Sequence, residues 1–144
     1  MAVLVVLFAS LLLYRTLGAL GASLFATWQE SARFALATMF LFTAIAHFAP
    51  MRKDLIAMVP PGFPRPDLLV FATGLLEAAG ALGLLLPATR TWAAYGLIAL
   101  LVAMFPANVS AARRGVKLRG RPPTPLAIRA PMQALFIAWA FWVR

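Results

Sequence analysis

The twenty residues from Leu68 to Pro87, LLVFATGLLEAAGALGLLLP, carry a single charged side chain, Glu77, near their middle, and this run constrains the fold more than any other stretch. A membrane-crossing helix needs about 20 apolar residues. At about 1.5 Å of rise per residue, Glu77 falls roughly 14 Å from the Leu68 end of a hydrocarbon layer about 30 Å thick, close to its midplane. A bare carboxylate there costs roughly 2.5 to 3.5 kcal/mol on insertion scales, so Glu77 is expected to be protonated, paired with a cation or turned toward a wet cavity. It should face other helices. Thr73, Gly74, Gly80 and Ala81 lie one turn away on the same face and are small, which lets other backbones come close.

Composition extends this reading to the whole chain. Hydrophobic residues make up 63% of the 144 and charged residues 12%, with a mean hydropathy of +0.89. A soluble domain of this size has no need of so apolar a surface. No repeat, low-complexity tract or long linker divides the chain, so residues 1–144 are read as one transmembrane domain. Thirteen Lys and Arg against four Asp and Glu would suggest nucleic acid in a soluble protein. Here most cations sit in loops between apolar runs, where membrane orientation and anionic headgroups explain them, and no nucleic-acid partner is expected. With no cysteine, disulfides, thiol nucleophiles and Cys-ligated metals are excluded, and any redox role needs a borrowed cofactor.

Five spans are predicted, over about 2–28, 32–49, 68–87, 92–112 and 126–143, forming an all-α antiparallel transmembrane bundle. The first is apolar apart from Arg15 and lacks a positive n-region, which argues against a cleaved signal peptide. Arg15 either snorkels outward or pairs with an acidic group inside. Gln29 to Ser31 read as a polar turn before the second span, which Pro50 ends. His47, the only histidine, shares a face with Phe40, Thr43 and Ala44.

The connection MRKDLIAMVPPGFPRPD is too charged and proline-rich to cross a bilayer. Its segment 51–59 reads as an interfacial amphipathic helix followed by a stiff loop, which serves either as a structural crossing at the interface or as a cover over whatever lies between His47 and Glu77. In the fourth span Pro106 should kink the helix, with Asn108 just beyond. In the fifth, Arg129 and Gln133 lie on one face with Pro131 between them. The loops after spans two and four carry eight Lys and Arg, including Arg113, Arg114, Lys117, Arg119 and Arg121, against three on the other side. The chain is therefore expected in the inner (plasma) membrane with its N-terminus cytoplasmic, which puts His47, Asn108, Arg129 and Gln133 in the inner half of the bilayer and Glu77 just above them.

Several pieces together, RFALATMFLFTAIAHF, MVPPGFP, TGLLEAAGALGLLLPATR, the FPAN of span four and the RAPMQ of span five, resemble the DoxX family of small membrane proteins, over roughly Arg33 to Val143. The resemblance implies a four-helix core, to which the segment Met1 to Trp28 is an addition, and some relatives serve as subunits of quinone-linked or other membrane redox complexes.

One histidine, no cysteine and four scattered carboxylates make a protein-built metal site improbable, and no nucleotide-binding or nucleophile-elbow motif is present. Three functions remain, in this order. The first is a redox-complex subunit holding a quinone headgroup, with His47 or Glu77 exchanging protons and Arg129 or Asn108 binding oxygens. The second is an isomerase-like enzyme or carrier for a small apolar molecule, using Glu77 with His47. The third is a structural subunit whose polar groups lock helices or oligomer contacts. The candidate catalytic residues are Glu77 and His47; the candidate ligand-binding residues are Arg15, Asn108, Arg129, Gln133, Thr43 and Thr73. The expected partners are the bilayer, a lipophilic small molecule, and either a membrane redox partner or further copies of the chain.

Overall fold

A computed structural model describes residues 2–144. Six α-helices and one 3₁₀ turn account for the ordered elements, and no named strand occurs among the described residues. They are α1 (Ala2–Ala19), the 3₁₀ turn (Ser23–Phe25), α2 (Trp28–Phe48), α3 (Arg52–Met58), α4 (Pro66–Leu85), α5 (Arg90–Arg114) and α6 (Leu126–Val143). Five of them, all but the short α3, are long and apolar enough to cross a membrane, as a multi-pass membrane protein requires.

Helix α2 is the most buried of the five and the centre of the packing. The helices α2, α4, α5 and α6 close a ring in which each touches two neighbours, and α1 leans on the outside of α2. Small residues allow this closeness: Ala32, Ala35, Ala37 and Ala44 of α2 are buried, together with Ala81, Ala94 and Ala140 of the facing helices. Helix α1 buries Leu7, touches α6 through Phe8 against Trp139, and joins α2 through a 2.8 Å hydrogen bond between the Tyr14 and Thr38 hydroxyls.

Two boundaries differ from expectation, each for a local reason. The first helix does not run to Trp28 but ends at Ala19. Gly21 adopts φ 104°, and the Ala22 N–H reaches back to the Leu17 carbonyl while the Gly21 N–H reaches that of Gly18, so the left-handed glycine closes the last turn. The second helix begins at Trp28, and Gln29 to Ser31 form its first turn instead of a loop. Thr27 Oγ1 accepts from the Glu30 N–H at 3.1 Å and the Glu30 carboxylate accepts from the Thr27 N–H at 2.9 Å, a reciprocal cap.

The two ends of the bundle are tied differently. At one end, buried Arg33 of α2 donates through Nε to the Val143 carbonyl at 3.1 Å, and Gln29 donates to Trp142, so α2 caps the last turn of α6. At the other end, α3 lies across the bundle. Nη2 of Arg114, at the end of α5, donates to the carbonyls of Ala57, Met58 and Val59 at 2.6, 3.1 and 2.9 Å. The Arg119 N–H in the basic loop donates to Asp54 at 2.8 Å, and Arg52 donates to the Asp67 carbonyl. Both arginine-rich connections therefore stand at the same end of the molecule.

Candidate functional site

Helices α2 and α4 bring His47 and Glu77 together. Gly74 makes this possible: a Cβ built there would stand 2.4 Å from the His47 Cβ, so only a glycine lets the last turns of α2 press against α4. His47 is 5% exposed and Glu77 4%, and Nε2 of the histidine lies 3.7 Å from Oε2 of the carboxyl. The other ring nitrogen, Nδ1, is 2.7 Å from the Val70 carbonyl, which can only accept, so Nδ1 carries the hydrogen. Nε2 of the neutral ring is then the lone-pair nitrogen, and it faces the carboxyl. Oε2 of Glu77 is buried and makes no hydrogen bond. The Thr73 hydroxyl lies 3.2 Å from Nδ1 and also reaches the Leu69 and Val70 carbonyls.

A cavity of about 300 Å³ opens beside this pair. His47, Val70 and Thr73 form its wall from α2 and α4, Met104 and Asn108 from α5, and Met58 roofs it from α3. Val59, Pro60 and Phe63, from the end of α3 and the proline loop after it, line the cavity on the side of His47, and Glu77 is not among the lining residues.

The remaining candidates distribute unevenly. Asn108 stands on the cavity wall, but Arg129 and Gln133 do not; they form a second network in which Arg129 Nη1 donates to the Asn108 carbonyl oxygen and Arg129 Nε to the Thr124 carbonyl. Gln133 donates to the Leu101 carbonyl at 2.8 Å, a turn before Pro106, and accepts a long 3.5 Å contact from Asn108. The expectation that His47, Glu77, Asn108, Arg129 and Gln133 line one cavity is corrected to two polar groups that meet at Asn108, because a side chain long enough to cross between helices satisfies itself on the nearest backbone. Thr43 donates to the Phe40 carbonyl at 3.0 Å within its own helix. Arg15 belongs to neither group. It donates to the Phe25 and Ala26 carbonyls and lies over the Trp28 ring at 5.3 Å, with no acidic group among its partners in the described residues. Neither Arg15 nor Arg129 pairs with Glu77, whose one ionisable neighbour within 4.0 Å among the described residues is His47.

Sequence reasoning missed Arg114, counted there only as an orientation charge, and Arg33, one of the three cations counted on the opposite side with Arg90 and Arg144. Nothing in the composition around Arg114 marks it as a clamp. No group of three or more His, Cys, Asp or Glu that could hold a metal occurs among the described residues.

Residues 36–144 match a protein family described as a domain of unknown function, DUF8561. The match takes in all of α3 to α6 and most of α2, and stops short of α1. No curated protein and no solved structure matches the chain.

Proposed function

We propose that this chain, which belongs to the DUF8561 family, binds the polar head of a lipophilic molecule, with a quinone as the best chemical fit, in the cavity between α2, α3, α4 and α5. On this reading it serves a membrane redox complex in which a separate partner carries the electrons. The observation that carries the reading is the buried His47–Glu77 pair behind the cavity wall: a lone-pair nitrogen facing a carboxyl oxygen without a hydrogen bond, 3.7 Å apart. Two such groups share one proton readily, and a quinol releases protons when its electrons leave. On this reading one of the two protons passes through His47 Nε2 to an ionised Glu77 carboxylate behind the wall as the electrons go to the partner, and Thr73 and Asn108 orient the oxygens. The apolar walls from Val70, Met104 and Met58 suit the ring.

The resemblance to the DoxX family supports the same reading, with α2, α4, α5 and α6 as the four-helix core and α1 as the addition. The family match begins at residue 36, inside α2. The Asn108–Arg129–Gln133 network favours a second role for that part of the molecule: its groups are satisfied on one another and on backbone, so it serves as a lock between α5 and α6.

Thermal stabilisation by a panel of quinones, isoprenoids and sterol-like compounds tests the proposal, repeated with Glu77→Gln and His47→Ala. Quinones are expected to raise the melting temperature of the wild type, and both substitutions are expected to reduce the shift. Shifts confined to isoprenoids or sterols would favour an enzyme or carrier instead. No shift, or shifts that survive both substitutions, would leave a structural subunit. The eight cations at the α3 end should face the cytoplasm of the inner membrane, which places the N-terminus there as well. Cysteines introduced at Arg90 and Lys117 check this: an impermeant reagent outside intact cells should modify position 90 and spare position 117, and the reverse pattern would invert the orientation.

A further inference from the structure

Toward the opposite end of the same helix pair, α4 and α5 frame an open-sided groove of about 740 Å³. Groove and cavity follow one seam. On α4 the wall steps from Leu69 and Thr73 in the cavity to Leu76, Gly80 and Gly83 in the groove; on α5 it runs from Gly96 through Ala99 to Ala103, and Ala103 lines both. Residues spaced by three and four share one helix face, so cavity and groove form one surface along the α4–α5 seam.

The groove has little to offer a polar guest. Its wall is apolar apart from Thr89, whose hydroxyl already donates to the Gly83 carbonyl at 2.9 Å, and the indole N–H of exposed Trp92 at the outer mouth. Its floor is set by close helix contact: a Cβ on Gly80 would stand 2.6 Å from Leu97, and one on Gly83 2.8 Å from Ala93. Gly96 differs, because a Cβ there would meet nothing within 4 Å. It looks into the open groove.

We infer that the groove holds the apolar tail, a prenyl or alkyl chain, of the same molecule whose head enters the His47 cavity, so that the ligand is a head-and-tail lipid lying along the α4–α5 seam. The inference rests on the head-group reading above, and the wall shared at Ala103 is what joins the two halves. A second copy of the chain is the rival occupant; the wall that groove and cavity share at Ala103 favours a guest of the cavity instead.

The test uses the full chain, a series of benzoquinones carrying no, one, two or four isoprene units, and a photoactivatable geranylgeraniol as a tail without a quinone head. Stabilisation of the wild type is expected to grow with each isoprene unit. Gly96→Leu, whose side chain enters open space, should return the long homologues to the level of the tail-less quinone, leave that level unchanged, and cut photolabelling at Ala99 and Ala103 several-fold. Tail dependence and labelling that persist undiminished in Gly96→Leu would overturn the inference. So would a dimer, trapped by crosslinking through Ala99→Cys in the otherwise unchanged chain, that is lost when Gly96→Leu is added, since the seam would then belong to a second copy. Labelling that falls in Gly96→Leu while no quinone of any length binds would keep the groove as a chain site and overturn the head-group reading instead. Neither labelling nor stabilisation would overturn both.

Discussion

Gly74 sets the distance between the two groups of the candidate site. A Cβ there would collide with the Cβ and Cγ of His47, at 2.4 and 2.8 Å, and the nearer of these, the Cβ, is fixed by the α2 backbone. Gly80 looks equally tight against Leu97, but there the close atoms are the methyls and branch of a leucine, which can turn aside. Gly74→Ala is therefore expected to cost about 1 to 3 kcal/mol by overpacking and to separate His47 from Glu77. Gly80→Ala should cost less, and Gly96→Ala nothing beyond a small gain from helix propensity. Thermal unfolding of the three variants in one detergent checks the order, and a Gly74→Ala protein as stable as the wild type would remove the steric argument. The face shared by Thr73, Gly74 and Glu77 was legible from helical spacing alone. Its partner was not, because periodicity says which residues look inward and not which neighbour they meet.

Among the elements, α3 depends most on contacts remote in sequence. Seven residues are too few to hold a helix by propensity. Three of its last carbonyls converge on one guanidinium nitrogen of Arg114, and Asp54 receives the Arg119 N–H. Since α3 roofs the cavity, the end of α5 governs how firmly the roof is shut. Arg114→Ala is expected to weaken α3 by about 1 kcal/mol, discounted for the exposure of this arginine. Amide exchange across Arg52–Met58 should then run roughly fivefold faster, while exchange in the middle of α2 stays unchanged. Unaltered α3 exchange would show that apolar contact alone holds the roof.

Element boundaries show where sequence reading succeeds and where it stops. The span starting at Leu126, the helix stop before Pro50 and a short helix within residues 51–59 followed from proline and charge placement. The start of α2 was also written in the chain, as the Thr27 to Glu30 capping signature, but the polar run Gln29 to Ser31 read more readily as a turn. The clamp by Arg114 had no such signal, because its acceptors are backbone carbonyls more than fifty residues away, and any sequence supplies those.

At the scale of the whole molecule, polar groups divide by level. The end of α2 that carries Arg33 is stitched to the last turn of α6, the network of Asn108, Arg129 and Gln133 joins α5 to α6, and the His47–Glu77 pair alone keeps a buried oxygen without a hydrogen bond beside a cavity. The first two are complete as they stand. On the proposed reading the third is where a guest binds, against His47 on the cavity wall and under α3 at the basic end of the bundle. Native mass spectrometry of the protein extracted gently from membranes tests this most directly. The account predicts a stoichiometric added mass of a lipid-like molecule with a polar head, retained in Arg15→Leu and lost or sharply reduced in His47→Ala; a wild type that flies without added mass, or one whose added mass is indifferent to His47→Ala, would contradict it.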